Sequence, residues 1–370
     1  MCRWSSASDH SIGGLWEWVA NEDVLVPFEG YCITQESTKT YTFQGKLNAP
    51  VTKTLTLDNH DADGYAFAAN SWTAPIKIQE MQDEDFTNAE KAIYIYHSGT
   101  YANAAANPNP VDAHSGAAVT TPGQYAVVPI HSSPYMSGAD SVIPAMQGFF
   151  IKTDPAKQAT LKLVYNRVVY DATYFKTSTQ PMRAPSRYGA PDVMRLSVTG
   201  ETFGGDCVHL LARGDFSEEF EDGWDGRKLE GDANVPQLAV LKEAGEMTVA
   251  AIPTAEERYL SFRAGNDLTY TFHFDYEGDL IYLYDIETGI ATEIQTGNTY
   301  TFVAANKTPM NRFLITKNPP RTPTDLEEVN EETVNGVEKF IHEGKLLILH
   351  RGAIYDALGK RVEMRKEGAL

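Results

Sequence analysis

The chain has 370 residues, enough for two ordinary domains, and 42% are hydrophobic and 11% aromatic, so sizeable cores can form. Its formal net charge of −19 excludes a basic nucleic-acid groove and disfavours docking on an anionic membrane surface. No run approaches the roughly 18 apolar residues of a membrane span. The three cysteines, Cys2, Cys32 and Cys207, have neither zinc nor redox-motif spacing.

Residues 1–27 carry Trp4, Trp16 and Trp18 with little periodicity and read as the remnant of an upstream region. The start, MCRWSSASDHSIGG, lacks the apolar stretch of a signal peptide, so the protein is either intracellular or a fragment whose upstream part is missing. From 28 to 169 the runs are short and strand-like: YCIT, TYTF, TLTL, GYAFAA, AIYIYH, QYAVVPI, GFFIKT and LKLVY. Clusters of Gly, Pro, Asn and Asp separate them. Gly30-Tyr31-Cys32-Ile33 and Gly148-Phe149-Phe150-Ile151 open matching segments at 27–47 and 146–165. Cys32, in an apolar run, is expected as a buried thiol. The best helix candidate is QEMQDEDFTNAEKA (79–92), and it is short. The stretch 102–123, small and punctuated by Pro and Gly, reads as a long surface loop.

Residues 170–190 read as a linker. A second strand series fills 191–317, from MRLSVTG to NRFLIT, at the short spacing of a sandwich or barrel. It is interrupted by the acidic DFSEEFEDGWDGRKLEGD (215–232). Residues 318–334 form a Pro- and acid-rich linker. The tail, 335–370, shows three strand runs turned at Glu343-Gly344, Arg351-Gly352 and Leu358-Gly359. It is too small to bury much of a core alone. The expected architecture is all-β: two β-sandwich domains of jelly-roll or immunoglobulin-like type, 28–169 and 191–317, plus the short C-terminal β tail.

Candidate site residues are few. Asp58, Asp61 and Asp63 crowd a Gly-terminated turn and form the one calcium candidate, although the downstream glutamate of an EF-hand is missing. An acidic strand-to-strand turn explains the same residues without a metal. Trp224, amid the acids of 215–232, could stack on a sugar or pin the loop to a core. Trp72 and Tyr101, with Tyr94 and Tyr96, could form a flat aromatic platform. Tyr94 and Tyr96 share one face of a strand, and core packing is the better account if that strand is central. The sequence carries no GxSxG serine elbow, no HExxH and no phosphate-cradling glycine loop. No catalytic residue and no cofactor are expected.

Several motifs carry a resemblance. Gly64-Tyr65-Ala66-Phe67-Ala68-Ala69-Asn70-Ser71-Trp72-Thr73-Ala74-Pro75-Ile76 is similar to a segment of the type GWNLxGNxYxxPIDW. Ile143-Pro144-Ala145-Met146-Gln147-Gly148-Phe149-Phe150-Ile151 closely resembles IPxMQGFFV. Phe220 to Leu229 looks like FDxxxDAxKL, and Tyr282 to Gly289, followed by Tyr300-Thr301-Phe302 and Asn311-Arg312-Phe313, looks like a late YLxDxxTG…YxF pattern. The tail run Gly352 to Val362 resembles GxxYDxxGxxV. Together these resemble large exported, adhesin-like surface proteins of Bacteroidota, over roughly residues 28–366. The resemblance implies a secreted or outer-membrane cell-surface location. In some such proteins C-terminal β-modules serve as type IX secretion signals, which implies a sorting or attachment role for 335–370.

The function expected is therefore a non-catalytic structural or adhesive region of an exported surface protein. Its partners would be a host or cell-surface glycan or protein, and the secretion or attachment machinery through the tail. The rival is a carbohydrate-binding accessory region of a glycan-degrading enzyme. A solvent-exposed row of aromatics in a shallow groove would favour the rival.

Overall fold

The structure is a computed structural model. It describes residues 1–5, 16–20, 23–33, 42, 44–59, 63–97, 123–136, 142–169, 189–308, 310–320, 337–342, 345–350, 353–356 and 360–362. Met1–Pro319 packs as one compact unit and Pro320–Leu370 as a second. Most of the expected linkers, and the loop 102–122, lie outside the described residues.

The first part of the large unit contains twelve short strands. They are β1 (Cys2–Trp4), β2 (Trp16–Trp18), β3 (Tyr31–Cys32), β4 (Lys53–Thr56), β5 (Tyr65–Ala69) and β6 (Ile76–Lys77). Then follow β7 (Phe86–Thr87), β8 (Ala92–His97), β9 (Gln124–Pro129), β10 (Val142–Ile143), β11 (Gly148–Lys152) and β12 (Thr160–Leu163). A four-stranded antiparallel sheet, β5-β11-β8-β9, faces the smaller sheet β4-β12-β7. Strand alternation sends Ala66, Ile93, Ile95, Val128, Phe149 and Ile151 inward, where they meet Leu55, Phe86, Leu161 and Leu163. Each of these side chains other than Ala66 contributes roughly 1.5–3 kcal/mol by burial. β8 is central, and its other face is buried too: Tyr94 is 0% exposed. Trp4 and Trp16 cover that second face, edge-on to Phe150 at 5.2 Å and to Phe67 at 5.4 Å. The N-terminal residues thus pack on the first sheet of this chain. Within the described residues, 27–47 supplies only the two-residue β3, which pairs with β1. Cys32 is exposed there, not buried as expected from its apolar neighbours, because β3 lies at the edge of the small sheet β2-β1-β3.

The stretch 79–92, the best helix candidate, holds no α-helix but two single 3-10 turns, Ile78–Glu80 and Asp83–Asp85. The Asp85 carboxylate accepts the Gln82 amide at 2.8 Å and is gripped by Lys162 and Arg167. These local and cross-chain bonds end each turn before an α-helix can propagate.

The second strand series begins with β13 (Asp192–Gly200), β14 (Gly205–Ala212), β15 (Gly226–Arg227), β16 (Gln237–Lys242), β17 (Gly245–Ile252) and β18 (Arg258–Arg263). It continues with β19 (Thr269–Asp275), β20 (Tyr282–Asp285), β21 (Ile290–Glu293), β22 (Thr299–Val303) and β23 (Met310–Thr316). They form one continuous sheet, β21-β20-β23-β18-β16-β17-β14-β13-β19-β22, with β15 added on β17. A twisted sheet this wide curls on itself, here around Phe262, Tyr270, Phe272, Phe302 and Phe313. The result is nearer to a barrel than to two facing sheets. Among the described residues no sheet contains strands from both sides of 170–190, and every pairing between named strands is antiparallel except β14 with β17. A parallel pair needs a long crossover, and residues 213–244 supply it.

The small unit is an antiparallel meander of β24 (Val337–His342), β25 (Lys345–His350), β26 (Ala353–Asp356) and β27 (Arg361–Val362). The expected turn positions, Glu343-Gly344, Arg351-Gly352 and Leu358-Gly359, lie outside the described residues, and β27 is a strand beyond the three runs expected. No helix among the described residues is long and apolar enough to cross a membrane.

Candidate functional site

The crossover 213–244 contains the acidic loop, and most of its carboxylates are engaged in structural pairs. Asp222 accepts the Lys91 amide at 2.8 Å and its ammonium at 3.1 Å. Glu218 holds Arg258 with two bonds, at 2.7 and 2.8 Å, and Glu230 holds Arg263 at 2.9 Å. Glu221 accepts the Ser217 hydroxyl at 2.7 Å. Asp225 is fully buried: it accepts Lys242 Nζ at 2.7 Å and the amides of Glu221 and Ala251, each at 2.7 Å. Burial pushes its carboxyl above the usual range against the pull of those donors. The loop is a bracket built from ion pairs.

What the bracket holds is the junction of the two strand series. Gly223 O accepts the His131 amide at 2.8 Å, and Trp224 O accepts Ser132 Oγ at 2.5 Å. Arg227 Nε donates to Glu90 at 2.7 Å, and the Asp232 amide donates to Gly123 O at 2.9 Å. Burial raises the Glu90 carboxyl, and Arg227 opposes that rise. Gly223 sits at φ +85, and a Cβ there would meet His131 Cδ2 at 2.5 Å. A Cβ on Gly226 would meet Val127 Cγ1 at 2.5 Å. The backbone of the bracket therefore touches the first strand series directly.

The expected site residues fall as follows. Trp224 is half-buried in this junction, 5.0 Å from Phe216 and 6.0 Å from Tyr135 by ring centroids, with the Arg213 guanidinium 4.9 Å over its ring. Trp72 is 2% exposed, edge-on to Phe28 and Tyr165, and its Nε1 donates to Ala49 O at 3.2 Å. Its ring is therefore enclosed by core and offers no stacking face. Tyr101 and Asp61 lie outside the described residues. Asp58 and Asp63 are exposed, and the Asp63 carbonyl accepts from Lys152, whose ammonium lies 4.7 Å over the Tyr65 ring. No group of three His, Cys, Asp or Glu able to hold a metal occurs among the described residues.

Beside the junction a cleft of about 430 Å³ opens between β9 and the outer face of β13, β14 and β17. Gln124, Tyr125, Arg195, Cys207, His209 and Thr248 are among its walls. Thr248 is 3% exposed, and neither its Oγ1 nor Arg195 Nε has a hydrogen-bond partner among the described residues. Asp206 also lines the cleft but is taken up by Lys228 and by the Leu238 amide. Burial raises the Cys207 thiol and keeps it protonated. The cleft can donate to a hydroxyl or anionic group. Sequence reasoning missed it, although the alternation of MRLSVTG already puts Arg195 and Ser197 on the face opposite Met194, Leu196 and Val198.

A second buried cluster lies at the far end of the curled sheet. Asp285 accepts Arg312 Nε at 2.9 Å and Nη2 at 2.6 Å, and the Tyr300 hydroxyl at 2.7 Å. Burial alone would raise its carboxyl, but Arg312 and Tyr300 outweigh it and hold the group below the usual range. The three late motifs thus converge on one ion pair.

Fold and junction define an all-β protein whose clustered charges brace its sheets. In sequence it is similar to the minor fimbrium subunit Mfa5 of Porphyromonas gingivalis, a member of the Bacteroidota, with 26% identity over 317 residues. The match covers 80% of this chain and 25% of that protein, so the chain spans about a quarter of that relative's length. No family model and no solved structure matches the chain.

Proposed function

We propose that the chain is a non-catalytic, load-bearing and adhesive segment of an exported bacterial surface protein that assembles with other appendage proteins. The bracket carries this reading: Asp222 and Arg227 pair with Lys91 and Glu90 across the junction, and the backbone at Gly223 and Gly226 lies against the first strand series. The likeness to a fimbrium subunit supports it. The carbohydrate-module rival loses support because Trp72 and Tyr94 are enclosed. A second reading rests on the cleft. Arg195 and Thr248 would grip an anionic or hydroxyl-bearing ligand such as a glycan, and Arg195→Ala would then abolish capture on a glycan array.

The test is made in the source bacterium. An epitope-tagged chain should be cut by protease added to intact cells and should co-purify with sheared appendages. Recovery only in the cytosolic fraction, or glycan turnover by the purified protein, would contradict the proposal. In the same reading 335–370 is a sorting or attachment element, a role consistent with its falling in a unit of its own, Pro320–Leu370. Deleting 321–370 should leave the main melting transition within about 2 °C, since the residues removed fall outside the unit Met1–Pro319, while surface display is lost. A destabilised large unit would make the tail structural. Undiminished display would place the signal elsewhere.

A further inference from the structure

We propose that Cys2 and Cys32 form a cross-strand disulfide that staples the N-terminal strand to β3. β1 and β3 pair antiparallel with Cys2 directly opposite Cys32, and both residues carry thiols. Directly opposed residues of an antiparallel pair point to the same face, with Cα atoms about 4.5–5.5 Å apart. A disulfide spans Cα separations of about 4.4–6.8 Å, so the strands need little or no movement to close it.

Oxidation is a thiol–disulfide exchange. One cysteine thiolate attacks a disulfide oxidant, RSSR, and displaces one RS⁻. The second thiolate then attacks the mixed disulfide and displaces the other. Two electrons pass to RSSR, and the two thiol protons end on two RSH. Desolvation, and then the field of the Cys2 sulfur, raise the Cys32 thiol, so closure should quicken with rising pH. Cys32 is exposed and so open to an oxidant. Cys207 is remote in the sheet pairing, opposite Ser197 in the second strand series, and takes no part.

The staple has a mechanical consequence. Force applied at the N-terminal end would pass from Cys2 to Cys32 without loading the chain between them. The Trp4 and Trp16 cover over Phe67 and Phe150 would stay in place. About 100 Å of extended chain would be withheld from unfolding, at roughly 3.3–3.6 Å per residue.

The test uses the full chain, incubated in oxidised and reduced glutathione, then alkylated and peptide-mapped. Cys2 and Cys32 should disappear from the alkylated pool together and return as one linked peptide pair. Cys32→Ser should restore alkylation of Cys2, Cys2→Ser should restore that of Cys32, and Cys207→Ser should change neither. In force spectroscopy the oxidised chain should release about 100 Å less contour than the reduced one. Continued alkylation of both residues in the oxidised sample, a linkage of either to Cys207, or disulfide-linked dimers in place of the internal link would overturn the proposal.

Discussion

Replacing Asp225 by Ala should lower the melting temperature of the large unit by about 5–15 °C, the equivalent of roughly 3–5 kcal/mol. Its carboxylate is the hub of the bracket. Lys242 Nζ, the Glu221 amide and the Ala251 amide all donate to it at 2.7 Å, and both Asp225 and Lys242 side chains are fully enclosed. Removing it leaves a buried ammonium with only Ala251 O, at 2.6 Å, and orphans two amides. Lys242→Met should cost less. Asp225 then keeps its two amide donors, and its raised pKa lets it take up a proton. The sign of its pH dependence follows from that raised value. Protonation is easier in the folded chain than in the unfolded one, so this group favours folding progressively as pH falls through its folded pKa. Thermal melts of the three proteins at neutral pH check the ranking. An Asp225→Ala protein within 2 °C of the parent would show that the bracket does not depend on this pair.

Asp285→Ala should also be damaging, by roughly 3–5 kcal/mol, because it removes the enclosed two-bonded partner of Arg312 and leaves that guanidinium, buried beneath Phe302 and Phe313, to the half-exposed Glu287 carboxylate at 2.8 Å. Replacing both partners by apolar residues, Asp285→Leu with Arg312→Met, should recover most of the loss, since neither charge is then left unpaired. The pH dependence runs opposite to that of Asp225. The folded carboxyl is held low, so its stabilisation is complete above the unfolded value of about 3.9 and is lost as pH falls through the folded one. Urea midpoints of parent and Asp285→Ala should therefore differ by a constant amount at neutral pH and begin to draw together only as pH falls below the unfolded value of about 3.9. A gap that narrows well above that pH would mean that the charge of this carboxylate is not what stabilises the site.

The strands were legible because alternation survives in nearly every run. AIYIYH and LTYTFHF read as strands from the sequence and are β8 and β19. The motifs quoted for the resemblance also pointed to real anchors: Asp285, Tyr300 and Arg312 meet in one cluster, and Phe220 to Leu229 is the core of the bracket. What those anchors do was hidden. Lys91 and Asp222, or Glu90 and Arg227, are more than a hundred positions apart, and nothing local marks two charges as partners across a junction. Trp224 was read as either a stacking face or a pin. Its position beside Phe216, Tyr135 and Arg213 comes from the crossover that the parallel β14–β17 pair requires. The cysteines show the same gap. Cys2 and Cys32 look unrelated at their spacing and become neighbours only through the register of β1 with β3.

If the bracket fastens the two β cores together, they melt as one thermodynamic unit. Scanning calorimetry of the chain lacking 321–370 should then show one endotherm with matching calorimetric and van't Hoff enthalpies. In Gly223→Ala, which drives a Cβ into His131 at a φ of +85, that endotherm should separate into two. Two resolved transitions in the parent protein would contradict it.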